Sequence, residues 1–189
     1  MKPLEDKNDP VFRRELDDAV NDEEPFAQRD IPNAVLEIAK NYSRNIRWLS
    51  GLYPSDPQFA TINCHCHALG LDSSDVFKET VKSPKSDFID SLIESNLLVL
   101  RPGAIQERDV VLYRNEKQIT HSGVVFRTEI ESKWGTGAIY RHSLYAVPYS
   151  YGSLVSYYAT PELAAVETSY SKWCESTSPK PPLDPQDED

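Results

Sequence analysis

No stretch of this chain approaches the roughly 20 consecutive apolar residues that a membrane-spanning helix needs. The opening run MKPLEDKNDPVFRRELDD also lacks the apolar centre of a secretory signal. The expectation is a protein that is cytoplasmic, or exported by a route without a cleavable signal, with no membrane among its partners. Basic charge is scarce as well: 20 Lys and Arg stand against 30 Asp and Glu, a net charge of −10. Phosphate binding is driven largely by counterion release from Lys and Arg, so nucleic acid is excluded as the main partner. Cysteine is limited to three residues. An odd count without a signal fits reduced thiols better than a disulfide framework.

What is present reads as one domain with tails. A chain of 189 residues, 39% hydrophobic and 26% charged, can bury one good core. Residues 1–30 are acid-rich and weakly patterned, an N-terminal arm with a short helix over 11–20. Residues 176–189 (STSPKPPLDPQDED) combine four prolines with an acidic end and are expected to form a disordered tail. The folded domain is then 31–175, without internal repeats.

Within it, Val35, Ile38, Ala39, Tyr42 and Ile46 share one stripe of a helix expected over 33–49. The Pro-punctuated loop GLYPSDPQ follows. Asn63 has the character of an N-cap with Cys64 as the first helical residue, and 86–94 (SDFIDSLIE) is amphipathic behind a capping Ser. From Asp109 the period changes to that of strands: DVVLYR, QITHSGVVF, TEIESKW, AIYRHSLYAV and SLVSYYA, separated by turn residues. A closing helix is expected over 161–172, with Pro161 in its first turn. Helices first and strands afterwards predict an α+β fold with an antiparallel sheet.

The densest chemistry lies in NCHCHALG, where Cys64, His65, Cys66 and His67 are consecutive. Zinc suits this spacing poorly, because its ligand pairs usually stand two to four residues apart and adjacent side chains diverge. Only Cys174, His121 and His142 remain to complete such a site, so no metal or other cofactor is expected. A second reading treats Cys64 and Cys66 as small buried hydrophobes, with the histidines decorating the helix. The third makes Cys64 a nucleophile, since a thiol at a helix start is favoured as thiolate by the helix dipole and nearby N–H groups. Cys66 is the runner-up, and His65 is expected as surface decoration.

A thiolate nucleophile needs a base and a residue that orients it. His121, in the strand-like ITHSGVV, is the candidate base. Glu131 and Ser132 alternate across the next strand, so only one of them can face the imidazole. Glu131 is preferred because a carboxylate best stabilises imidazolium, with Ser132 or His142 as substitutes.

Taken in order, NC-x-x-x-AL-G-L at 63–71, PG then RDVVLY at 102–113, THSGVV at 120–125 and ESKWG at 131–135 resemble the papain-like cysteine hydrolases of the NlpC/P60 superfamily. The resemblance covers about residues 59–158. It departs from the commoner pattern in Asn63 for Asp before the Cys, Arg108 for Gly before Asp109, and no His or Asn at the third position. It implies a papain-like domain in which N-terminal helices pack on an antiparallel β-sheet. The implied chemistry is amide cleavage by a Cys64 thiolate with His121 as general acid and base.

The expected function is therefore a cysteine peptidase or amidase acting on a peptide or peptidoglycan-like substrate, as a peptidoglycan amidase, toxin or effector would. A protein partner or inhibitor is a further expectation. Two other readings share the sequence. One is a catalytically degenerate binding module using its dense tyrosines (Tyr140, Tyr145, Tyr149, Tyr151, Tyr157, Tyr158). The other is a cysteine-dependent acyltransferase or deamidase with the same thiolate.

Overall fold

The structure is a computed structural model that describes residues 7–21, 31–51, 61–80, 82–116, 118–135 and 137–178. Most of the loop GLYPSDPQ and residues 179–189 of the expected tail lie outside them. The fold is α+β. Its centre is a seven-stranded antiparallel sheet: β1 (Ile46–Gly51), β2 (Val99–Leu100), β3 (Val110–Arg114), β4 (Ile119–Phe126), β5 (Glu129–Lys133), β6 (Ala138–His142) and β7 (Leu154–Ala159). The strand order is β1-β6-β5-β4-β3-β7-β2. The hairpins β3–β4, β4–β5 and β5–β6 are sequence neighbours, as the regular spacing of turn residues predicts.

Helices cover both faces. The described helices are α1 (Pro10–Val20), α2 (Ile31–Asn41), α3 (Cys64–Leu69), α4 (Asp75–Thr80), α5 (Ser86–Glu94) and α6 (Leu163–Thr177). Val110 and Leu112 of β3 join one core with Cys66 and Leu69 of α3, Phe77 of α4, Phe88 and Leu92 of α5, and Tyr170 of α6. Val111 and Tyr113, pointing the other way, join a second core with Phe12 and Leu16 of α1 and Val35 and Ala39 of α2. The uninterrupted run VVLY of β3 is thus explained, because a strand buried on both faces has no polar side to alternate with.

Two expectations change here. Residues 10–20 are not part of a loose arm: Asp9 caps α1 through Val11 N and Phe12 N, and Phe12, Arg13 and Leu16 are fully buried. The charged character of the segment conceals this, because one of its three buried residues is an arginine. The helix expected over 33–49 also ends early. Ser43 adopts φ +53°, outside the helical region, and Ile46–Gly51 becomes an edge strand paired with β6. Ile46 still reaches the core, so the apolar stripe that suggested a longer helix continues in another conformation. At the far end α6 runs to Thr177, beyond the expected limit at 172.

Candidate active site

Local sequence fixes the start of α3 well. Asn63 lies in extended backbone, and its Oδ1 accepts from Cys66 N at 3.0 Å. Its Nδ2 donates to Pro84 O at 2.7 Å, tying the cap to the segment before α5. Cys64 is therefore the first helical residue, as expected from the cap. It is half-buried, whereas Cys66 and Cys174 are buried.

The helix lies against β4 and β5. β4 must come close to β5 here, and Gly123 allows it: a Cβ at that position would stand 2.7 Å from Ile130 Cγ2 and 2.9 Å from Glu131 O. The imidazoles of His65 and His121 act on the Cys64 thiol. Burial alone pushes this thiol up, but the two imidazoles outweigh it, through charge and hydrogen bonding, and hold the thiol well below its ordinary pKa. His65 is pushed down by burial and further up by Cys64, for a net rise. His121 is held below its ordinary value by burial, against the opposing pull of Cys64. The Nε2 of His121 is buried without a hydrogen-bond partner.

His65 is not surface decoration. It is 5% exposed, and its Nδ1 shares a 2.9 Å hydrogen bond with Ser122 Oγ on β4. His121 alternates with Ser122 along β4 and leaves the strand on the side of Tyr113. Its register partner is Tyr113, with ring centroids 5.5 Å apart. The Tyr151 ring lies nearly flat against it, at 3.9 Å between centroids and 14° between planes.

Glu131 does not orient His121. It pairs in register with Val124, which belongs to the helix-α3 side of the sheet. There its Oε1 lies 3.5 Å from His67 Nε2, and its Oε2 accepts from Arg141 Nη2 at 2.6 Å. His67 Nδ1 meets Asp72 at 3.0 Å on its other side. Burial pushes His67 down, but the two carboxylates raise it to about 9, while His67 first and Arg141 second draw Glu131 down to about 2. The alternatives are engaged elsewhere too. Ser132 Oγ shares a 2.8 Å bond with His142 Nε2 and accepts from Trp134 Nε1 at 3.0 Å. His142 is completed by Ser143 O, and burial holds it at about 3.

Among the described residues no group of three His, Cys, Asp or Glu is arranged to hold a metal ion. Nor is any described helix long and apolar enough to cross a membrane. The tyrosines form no single exposed face, since Tyr140 and Tyr158 are buried while Tyr149 is exposed. No protein-family model matches the chain, and no curated protein or solved structure matches it.

Proposed function

We propose that the protein is a cysteine hydrolase of the papain-like type, cleaving an amide bond through Cys64 and His121. One observation carries this reading: a half-buried thiol at the first position of a capped helix, held well below its ordinary pKa against burial by two imidazoles. A thiol kept for packing alone would follow Cys66, which burial pushes up to about 12.

The arrangement suggests a division of labour. His65, fixed on Ser122, supplies positive charge beside the sulfur, and His121 moves the proton. His121 takes the proton of the Cys64 thiol, and the resulting thiolate attacks the carbonyl carbon, forming the S–C bond as the carbonyl electron pair moves onto oxygen. Collapse of that oxyanion breaks the C–N bond, and the imidazolium of His121 protonates the departing nitrogen. Water then attacks the thioester, giving its proton to His121, and the thiolate leaves. The amides of Cys64 and His65 stand in the first turn, where a helix has no acceptors of its own, and are suited to the oxyanion.

The resemblance to NlpC/P60 hydrolases gains support from a residue where the sequence departs from them. Arg108 occupies the place of the usual glycine, and its φ is +74°, the left-handed conformation that favours glycine. The acyltransferase and deamidase readings use the same thiolate and differ in acceptor.

The test is a thiol-directed covalent probe with peptide mapping, followed by assays on peptide and peptidoglycan fragments with products identified by mass spectrometry. Selective labelling of Cys64 and loss of turnover in Cys64→Ala are expected. Turnover retained in Cys64→Ala ends the proposal.

A further inference from the structure

We propose that Tyr151 is the positioning residue of the proton-moving histidine, braced from behind by Arg13 and Asp17 of α1. The inference rests on the proposed Cys64–His121 pair and supplies the orienting member that Glu131, Ser132 and His142 do not provide.

Three sets of contacts carry it. First, the Tyr151 ring covers one face of His121 at 3.9 Å and 14°. Its hydroxyl accepts from Gly135 N at 2.9 Å, which fixes the plane of the ring. An imidazole pressed against a fixed aromatic plane has few orientations left, and an aromatic face favours its protonated form.

Second, the backbone beneath Tyr151 is tied to the strand that carries His121. Thr120 Oγ1 donates to Tyr151 O at 2.6 Å. Gly152 has φ +86°, and a Cβ there would fall 2.2 Å from Arg114 O, so this turn sits directly on the end of β3.

Third, α1 holds the turn from outside. Arg13 is fully buried. Its Nε donates to Val147 O at 3.0 Å, and its Nη2 donates to Pro148 O at 3.1 Å and to Gly152 O. Asp17 accepts from Ser150 N at 2.8 Å and Ser150 Oγ at 2.5 Å. A buried guanidinium costs free energy unless its donors are met. Here Nη1 donates to Asn8 Oδ1 at 2.7 Å while Nε and Nη2 hold the turn that presents Tyr151, and a helix far away in sequence becomes part of the site's support.

The test uses the full chain with three variants: Tyr151→Leu, which removes the stack; Tyr151→Phe, which keeps the ring and loses the hydroxyl; and Asp17→Ala, which loosens the turn at a half-buried position. Two readouts are followed across pH: alkylation of Cys64 and NMR titration of the His121 ring. Loss of the aromatic face disfavours imidazolium, so His121 should titrate lower and the Cys64 thiol higher. Tyr151→Leu should move the alkylation profile up by about one pH unit, an approximately ten-fold slower reaction at a fixed pH below it. Tyr151→Phe should stay close to wild type, and Asp17→Ala should shift in the same direction by less.

A wild-type profile in Tyr151→Leu overturns the proposal, as does a Tyr151→Phe profile as displaced as that of Tyr151→Leu. If Tyr151→Leu does not fold, an unshifted Asp17→Ala overturns it instead. Should wild-type Cys64 titrate as an ordinary thiol, the hydrolase reading fails by itself. The His121 titration in the same variants then still decides whether Tyr151 positions the ring.

Discussion

Two ends of the same short helix place the same kinds of side chain in opposite environments. At the start of α3, the imidazoles of His65 and His121 lower the Cys64 thiol against its burial. Toward its end, His67 is held between the carboxylates of Asp72 and Glu131. The first arrangement lowers a thiol below its ordinary pKa and leaves the Nε2 of His121 without a hydrogen-bond partner. The second pairs His67 with both carboxylates, and Glu131 also with Arg141. The hydrolase proposal places chemistry with the former, and His67 with its partners ties α3 to β5 like a staple. Cys66, between the two, faces the apolar core, and burial pushes its thiol up to about 12.

The largest effect that contrast predicts separates the two thiols. Cys64→Ala should lower turnover by about a thousand-fold or more, since a nucleophile and its base act as a unit. Its circular dichroism and unfolding midpoint should match the wild type. Cys66→Ala should do the reverse, keeping turnover and losing about 1 kcal/mol in denaturant unfolding, as expected for trimming a buried side chain. Equal loss of activity in both would erase the difference between the two positions.

The two histidines sharpen the comparison next. His121→Ala should cost about a hundred- to ten-thousand-fold in kcat, the usual range for removing a general acid–base. His67→Ala should leave the pH profile of Cys64 alkylation unchanged. Wild-type alkylation itself should persist as pH falls below the ordinary thiol range near 8.5, where an uncoupled thiol loses about ten-fold per unit.

How much of this was legible beforehand varies with the range of the interaction. The cap at Asn63 is a four-residue pattern, and the structure has the expected Oδ1 bond to Cys66 N. The change of period at Asp109 marks the sheet because alternation is local as well. Face choice was only half legible. Sequence alternation says that Glu131 and Ser132 point opposite ways, but which one shares a face with His121 depends on the register of β4 with β5. Carboxylate chemistry favoured Glu131, whereas the register puts it beside Val124 and within reach of His67. His65–Ser122 and Tyr151–His121 join residues distant in sequence, and nothing local announces either. Arg13 is the hardest case: a charged residue in an acidic segment reads as solvated, and its burial follows only from carbonyls more than 130 positions away.

A smaller effect concerns stability against pH and belongs to the staple. His67 is raised from an ordinary 6.5 to about 9, so its contribution is complete below about 6.5 and is lost as pH rises through 9. Glu131 is depressed from 4.5 to about 2, so its contribution is complete above about 4.5 and is lost as pH falls through 2. Unfolding free energy should therefore fall on both sides of that window. His67→Ala should flatten the alkaline decline, as measured by urea unfolding at a series of pH values. An alkaline decline unchanged in that variant would assign it to other groups.

The smallest expected effect is also the one that bears most directly on Glu131. Glu131→Gln keeps the shape and one hydrogen-bond acceptor for Arg141 or His67, and it removes the charge. If the residue belongs to the staple, stability should drop by about 1 kcal/mol, the acid limb of the stability profile should weaken, and Cys64 alkylation should keep its wild-type pH dependence. A carboxylate acting on His121 would behave otherwise: its loss would raise the Cys64 thiol and slow alkylation at neutral pH, with little change in stability. The two outcomes differ in which measurement moves, so a single variant assayed both ways decides between a brace for the helix and a partner for the base.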